Sequence, residues 1–318
     1  MATQSDDNLP VSDASSSLIG RHLEIDHHHS AFTSTFSSAT DWRYENGRRY
    51  HSYDDGTYHL PNDEEELDRL DLQHEMWRMT LKGALYWSPI PETTQSVLDI
   101  GCGTGCWAIE FAETHPNATV VGTDLSPVQP DFVPPNCSFL VDNAEKDWAF
   151  SSKFDFIHAR MLCMGMHDWP HFLHQCWTNL QPGGWLELRE IAFPWGSVED
   201  TPIEESPLLK WSDMVREGAA RAGIDTVACL SFEDKLRDLG FIKIKKEHVQ
   251  WPLTPWPKGS LEKKLGAYAQ ENLRSGLQGI SMAVFCRHLG MTRDEVELNL
   301  YEARKDMNDP SKHYYAPM

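Results

Sequence analysis

The chain has 318 residues, 40% of them apolar, and carries 28 Lys and Arg against 48 Asp and Glu, for a formal net charge of −20. That length buries a large core, and that charge leaves no general positive field for phosphates, which argues against nucleic-acid binding. No apolar run reaches the roughly 18 residues of a bilayer span, and the opening MATQSDDNLP lacks the basic-then-apolar order of a signal peptide. The expectation is a cytoplasmic chain without a membrane span.

Residues 1–40 are rich in Ser, Asp and Thr without sustained periodicity, which predicts a disordered tail. Its His27, His28 and His29 are consecutive and have no obvious converging partners, and the seven cysteines show no C-x-x-C pair, so no metal site is predicted and the thiols read as reduced. Residues 41–91 are expected to form an N-terminal helical lid or extension. Asn62 or Asp63 caps its helix, acidic residues fill the first turn, and Leu67, Leu70, His74, Trp77 and Leu81 recur at spacings of three or four.

From Gln95 the pattern changes to short apolar runs, QSVLDI, ATVVGTD, CSFLV, FDFIHA and GGWLELREIAF, alternating with helical stretches. This is the signature of parallel crossovers in an α/β, doubly wound, mostly parallel sheet. The core is expected over residues 92–257, with a helical insertion at about 200–230 that holds a helix from Leu208 to Ala222. A short helix over Ser231–Leu239 ends at Gly240. FIKIKKEHVQWPL then alternates like an antiparallel edge strand or hairpin, and residues 258–318 are helical with a break around Gly290-Met291-Thr292. Helices are thus added at both ends of the sheet domain.

The sharpest chemical signal is Val97-Leu98-Asp99-Ile100-Gly101-Cys102-Gly103-Thr104-Gly105, a buried strand entering a glycine turn and then a helix from Cys106 to Thr114. Glycines let backbone approach a ligand, and the helix N-terminus presents free amides. The spacing is D-x-G-x-G-x-G, not the G-x-G-x-x-G of a dinucleotide site, and an aspartate before the turn would repel a pyrophosphate but welcome a cationic amino-acid moiety. This favours S-adenosylmethionine over a nicotinamide cofactor. Nineteen positions after Gly105, Asp124 ends the second strand, where a carboxylate can accept from both ribose hydroxyls. The competing reading is a turn cap in Asp-Leu-Ser-Pro. Asp142-Asn143 after the third strand and His158 in the fourth fall on the same sheet edge.

With the Pro182-Gly183-Gly184 turn before the fifth strand, these segments resemble class I S-adenosylmethionine-dependent methyltransferases, with a Rossmann-like fold, over about residues 92–195. Tyr44-Glu45-Asn46-Gly47-Arg48-Arg49-Tyr50-His51, Pro61-Asn62-Asp63 with Glu66, Arg69-Leu70 and His74, and Phe154 to Arg160 extend the likeness to the fungal LaeA-type methyltransferases over about residues 41–290. That family holds both regulators of secondary metabolism and enzymes that methylate secondary metabolites. The resemblance implies S-adenosylmethionine held by Asp99, Gly101, Cys102, Gly103 and Gly105 at the methionine part, Asp124 and Leu125 at the ribose, and Asp142-Asn143 at the adenine, and His158 is expected among the cofactor-binding residues too. It also implies Tyr50 and His51 folding over the cofactor as a lid. Related chains commonly carry Asp where this one has Asn143, whose amide oxygen still accepts, without charge assistance.

Methyl transfer needs a general base only when the acceptor must lose a proton. His158 and His167, after the fourth strand, are the candidates, weighed against packing or surface roles. Met161 and Trp169 are candidate walls of an acceptor pocket, weighed against core packing. Arg160 reads as a structural ion-pair partner. The expected function is methylation of a small-molecule acceptor. The competing expectation is a nuclear regulator of secondary metabolism working through a regulatory protein partner.

Overall fold

The computed structural model describes residues 42–54 and 56–318; the tail of residues 1–40 and its three histidines lie outside the described residues. The described chain opens with a hairpin, β1 (Arg43–Glu45) and β2 (Arg48–Tyr50). It turns at Asn46-Gly47, both at positive φ, the conformation that a tight two-residue hairpin requires. Arg48 donates two hydrogen bonds to Asp63, at 2.6 and 2.7 Å, which ties the hairpin to helix α1 (Glu64–Thr80). Asp63 also caps α1, accepting from the Glu66 amide, and Glu64 to Glu66 place negative charge in the first turn.

The face that α1 buries differs from the apolar stripe expected. Glu66, Arg69, Gln73, His74, Met76 and Trp77 are buried, whereas Leu67 and Leu70 are half-buried. Arg69 and Glu66 neutralise each other at 2.6 Å, and Arg69 donates to Asn272, so a polar pair survives inside the helical layer.

Five strands form the central sheet: β3 (Ser96–Ile100), β4 (Thr119–Asp124), β5 (Cys137–Val141), β6 (Phe154–Arg160) and β7 (Leu180–Arg189). They lie in the order β5-β4-β3-β6-β7, every pair parallel. The apolar runs of β3, β4 and β6 are buried on both faces, as a covered parallel sheet demands. The order reverses at β3, which puts the crevice for a ligand over its carboxyl end. Helix α2 (Cys106–Thr114) follows β3, and α3 (Trp169–Asn179) joins β6 to β7. The links after β4 and β5 contain no helix: Pro127, Pro130, Pro134 and Pro135 prevent one in the first.

A helical layer is added: α4 (Pro207–Arg221), α5 (Phe232–Leu239), α6 (Ser260–Val284) and α7 (Arg293–Met307). A π-helical turn (Phe285–Leu289) and Gly290 at positive φ break the long helical stretch, and a Thr292/Glu295 capping box starts α7. Trp211, Leu273, Leu277, Phe285 and Leu300 form its core, separate from the two clusters that cover the faces of the sheet.

The expectation for FIKIKKEHVQWPL is corrected. Of it only Gln250–Pro252 is a strand, β9, and it pairs with β10 (Tyr314–Pro317), which pairs with β8 (Gly196–Ser197) in a separate antiparallel sheet. Gly240 and Lys243 both adopt positive φ, which interrupts a pleat, and Ile242 points to solvent. The expected antiparallel strand therefore does not extend the five-stranded sheet.

Candidate active site

At the carboxyl end of β3, Gly101, Gly103 and Gly105 all take positive φ, at 64°, 55° and 84°. An L side chain is strained there, and a Cβ at Gly105 would meet the Phe139 ring at 2.5 Å. Gly105 begins α2 without a side-chain cap, so the amides of the first turn stay available to a ligand. The turn is pinned by Cys102 donating to the Thr123 carbonyl at 3.0 Å and by Gly103 donating to the Asp124 carboxylate at 2.9 Å.

Asp124 also accepts from the Ser126 amide at 2.9 Å. Both readings of this residue are thus compatible: it caps its own turn, and each oxygen keeps a lone pair for a ribose hydroxyl. Asp142 accepts from the Asn143 amide, while the Asn143 side chain donates to Asp54 at 2.9 Å and accepts from the Glu145 amide. Burial raises the pKa of both Asp124 and Asp142.

Next to the turn, His158 is 1% exposed, its Nδ1 lies 2.7 Å from Asp99 Oδ1, and its ring stacks on Trp107 at 3.8 Å between centroids. Burial pushes Asp99 up to about 7 and drives His158 well below the usual imidazole range. Above pH 7 the pair is a carboxylate accepting from Nδ1–H, with a bare Nε2 on the far side of the ring. Asp99 Oδ2 and His158 Nε2 are buried with no partner among the described residues, as expected of a wall completed by a ligand.

One cavity joins these groups and encloses about 1250 Å³ of empty space, part of it open to solvent. Asp99, Gly101, Cys102, Gly103, Asp124, Leu125, Asp142, Asn143, His158 and Met161 all line it, whereas Gly105, expected beside them, does not and instead lies against the Phe139 ring. A glycine cradle, two orphaned polar atoms and acids at three strand ends fit S-adenosylmethionine.

Four expectations are corrected. Tyr50 and His51 are not among the lining residues: Tyr50 is buried under the Arg287 guanidinium, and the His51 ring nitrogens lie 2.7 and 3.3 Å from the Tyr53 and Tyr58 carbonyls. They brace the loop that closes the cavity. His167 is outside as well, exposed, with its Nδ1 2.9 Å from Glu145. Trp169 is a core residue, 2% exposed, packed on Phe172 and Phe232. Arg160 pairs with no carboxylate among the described residues: its Nη2 donates to His74 Nδ1 at 3.2 Å, and its guanidinium lines the cavity.

Sequence reasoning expected a lid from residues 41–91 but did not name the residues of this opposite wall. Tyr58, Leu67, Leu70, Gln73 and His74 close the cavity from the N-terminal extension, and Asn62 donates to Ser126 across it at 3.1 Å. Asp54 receives Asn143 and also Lys146, at 2.7 Å, so the loop is latched beside Asp142 and Asn143. The signal available was His74, a polar residue within the stripe that periodicity assigns to the interior.

Residues 72–250 match a family described as a methyltransferase domain. The chain is 37% identical over 268 residues to the methyltransferase pytC of Aspergillus terreus, covering 84% of this chain and 83% of that one. It is 33% identical over 279 residues to the secondary metabolism regulator laeA of Aspergillus flavus, covering 85% and 74%. It is 31% identical over 287 residues to the protein-methionine methyltransferase laeA of Emericella nidulans, covering 88% and 75%. With the parallel sheet, the glycine turn and the cavity between them, the chain belongs to the methyltransferase-domain family, as an S-adenosylmethionine-dependent enzyme of the class I, Rossmann-like fold.

Proposed function

We propose that this chain methylates a small, largely apolar acceptor of fungal secondary metabolism. The observation that carries the reading is the continuity of one cavity from the glycine turn to Met161, Leu162, Gly165 and Met166, facing Leu67 and Leu70 of α1. S-adenosylmethionine supplies a methyl group already activated by the sulfonium charge. The protein's part is then to orient and to exclude water. The glycine-turn amides and Asp124 hold the nucleoside, the latched loop closes over it, and the apolar wall seats the acceptor. His158 Nε2, unprotonated at neutral pH, is placed to accept a proton from an acceptor hydroxyl or enol, with Asp99 steadying the imidazolium that forms.

The similarity to the secondary metabolism regulator laeA over 85% of the chain favours a second reading, a nuclear regulator that acts through a protein partner. Incubating the purified full chain with methyl-labelled S-adenosylmethionine, a fungal metabolite extract and, separately, a protein extract decides between them. Label in an organic-soluble product sustains the first reading; label confined to protein replaces it with the second. His158→Gln is expected to slow small-molecule transfer by about 100-fold, and undiminished transfer would reduce His158 to a wall residue.

A further inference from the structure

The five-stranded sheet stops at β7, whose outer backbone edge has no strand partner among the described residues. A second cavity, with about 1450 Å³ of empty space partly open to solvent, is lined by every residue from 184 to 190 along that edge. Side chains of a strand alternate between its faces, so an unbroken run of lining residues means that the backbone edge itself borders the cavity. Residues 242–249 line it as well. The backbone of residues 242–248, between α5 and β9, makes no hydrogen bond among the described residues. Two rows of unpaired donors and acceptors thus border one slot, and such groups call for partners whenever water is displaced from them. Val249 and Met318 both line the slot and exchange two backbone hydrogen bonds, at 3.2 and 2.8 Å, which carry the β9–β10 pairing to its rim. A strand laid in the slot therefore extends a ladder that is already there.

The side chains say what kind of strand fits. Trp87, Leu230 and Ile242 are 42%, 56% and 80% exposed and all line the slot, an apolar surface of the kind that marks a binding site. The acids of the slot are engaged: Glu187 by Arg189, Glu233 by Arg237, Glu247 by Lys245, and Glu190 by the amides of Leu162 and Cys163. Lys243 and Lys246 have no carboxylate partner among the described residues; Lys246 donates to the Leu230 carbonyl at 3.2 Å. On a chain of net charge −20 this is a local basic rim. It attracts carboxylates and, by like charge, keeps the same rim of a second copy away.

We propose that this slot is a protein-docking surface that takes an extended, acidic peptide of a partner as an added strand, its backbone paired to β7 on one side and to residues 242–248 on the other. Apolar residues at alternate positions of the peptide meet Trp87, Leu230 and Ile242, and its carboxylates meet Lys243 and Lys246. Among the described residues none lines both this slot and the cofactor cavity, so docking here stands whatever acceptor is methylated.

The probe is a synthetic, end-capped peptide, Glu-Val-Thr-Val-Thr-Val-Glu, titrated into the full chain by calorimetry and followed by amide hydrogen exchange. Binding is expected, with the fast-exchanging amides of residues 184–190 and 242–248 slowed at least about tenfold and the rest of the chain unchanged. The same peptide N-methylated at alternate residues keeps its side chains but loses backbone donors, and should bind at least about tenfold more weakly. A version with Lys in place of Glu should bind about three- to tenfold more weakly at low salt. Lys243→Glu combined with Lys246→Glu should reverse that order at an unchanged melting temperature. Failure of all three peptides to bind overturns the proposal, as does equal binding of the N-methylated one, which would make the slot an apolar pocket. Absence of a charge preference overturns the acidic partner. Slow exchange in both segments before any peptide is added overturns it too: if independent of protein concentration, another segment of this chain fills the slot, and if dependent on it, a second copy does.

Discussion

The two ends of the cavity are built in different ways. At the end proposed for the nucleoside, near neighbours in the chain set the turns: Asp124 accepts from Ser126 two positions on, Asp142 accepts from Asn143, and the three glycines share one five-residue turn, with Gly103 to Asp124 and Asn143 to Asp54 as longer-range ties. At the methyl-transfer end the partners come from far apart: His158 meets Asp99 across two strands, Arg160 meets His74 of the N-terminal helix, and Glu190 receives the amides of Leu162 and Cys163. Backbone conformation makes the first end, and packing makes the second. Substitutions at the first should act through strain on the turn itself, and substitutions at the second through the long-range partners they strand.

The largest expected effect tests the first half of that contrast. Gly105→Val places a β-branched residue at positive φ with its Cβ against Phe139, and should weaken S-adenosylhomocysteine binding at least about 100-fold and lower the melting temperature by several degrees. Binding kept within tenfold would show that the turn is not set by its glycines, and the contrast would break.

Trp169→Ala separates packing from the site: loss of a fully buried ring should cost about 3 kcal/mol of stability in chemical denaturation, with cofactor affinity unchanged in protein that remains folded. A selective loss of affinity instead would return Trp169 to the pocket wall.

A smaller, pH-dependent effect probes how the N-terminal extension is attached. His59 Nε2 lies 2.8 Å from His288 Nε2, and burial, with the like-charged neighbours His288 and Arg287, lowers His59 to about 4. The unfolded chain takes up a proton near pH 6.5 that the folded chain refuses until about 4, so the stability this residue confers is present above 6.5 and is lost as pH falls through that window, by about 1 kcal/mol per unit. His59→Asn should flatten the fall in melting temperature between pH 6.5 and 5 relative to the unmodified chain; an unaltered slope assigns the acid sensitivity to the carboxylates.

The smallest effect is at the latch. Asp54→Ala removes the acceptor for Asn143 and Lys146 and should weaken cofactor binding about threefold, mainly through faster dissociation in stopped-flow measurements, since the ion pair is partly exposed. A loss comparable to that of Gly105→Val would mean that the loop, and not the turn, dominates affinity.

Much of what lines the cavity along the strand ends was legible without coordinates. Asp99, the glycines, Asp124 and Asp142 announce themselves because turn chemistry is local: a positive φ demands glycine wherever the rest of the chain goes. Tyr50 and His51 read as a lid, His167 as a base and Trp169 as a pocket wall, yet none lines the cavity, because aromatic and imidazole rings have the same sequence appearance whether they line a cavity, brace a loop or fill a core. FIKIKKEHVQWPL reads as a strand by alternation, but two left-handed residues near its start turn the backbone away.

The sequence by itself determined the parallel order of buried runs, the turn that admits a backbone-held ligand and the helix caps at Asp63 and Thr292, since each depends on residues within a few positions of one another. Only the tertiary structure decided that Arg160 meets His74 and, among the described residues, no carboxylate, that α1 turns Gln73 and His74 to the cavity, and that Asp54 closes on Asn143. Those pairings join positions 86 and 89 residues apart, and they exist because the helical layer must bury its own core against the sheet. Packing of that kind is a property of the assembled molecule, set by the shapes of several elements at once.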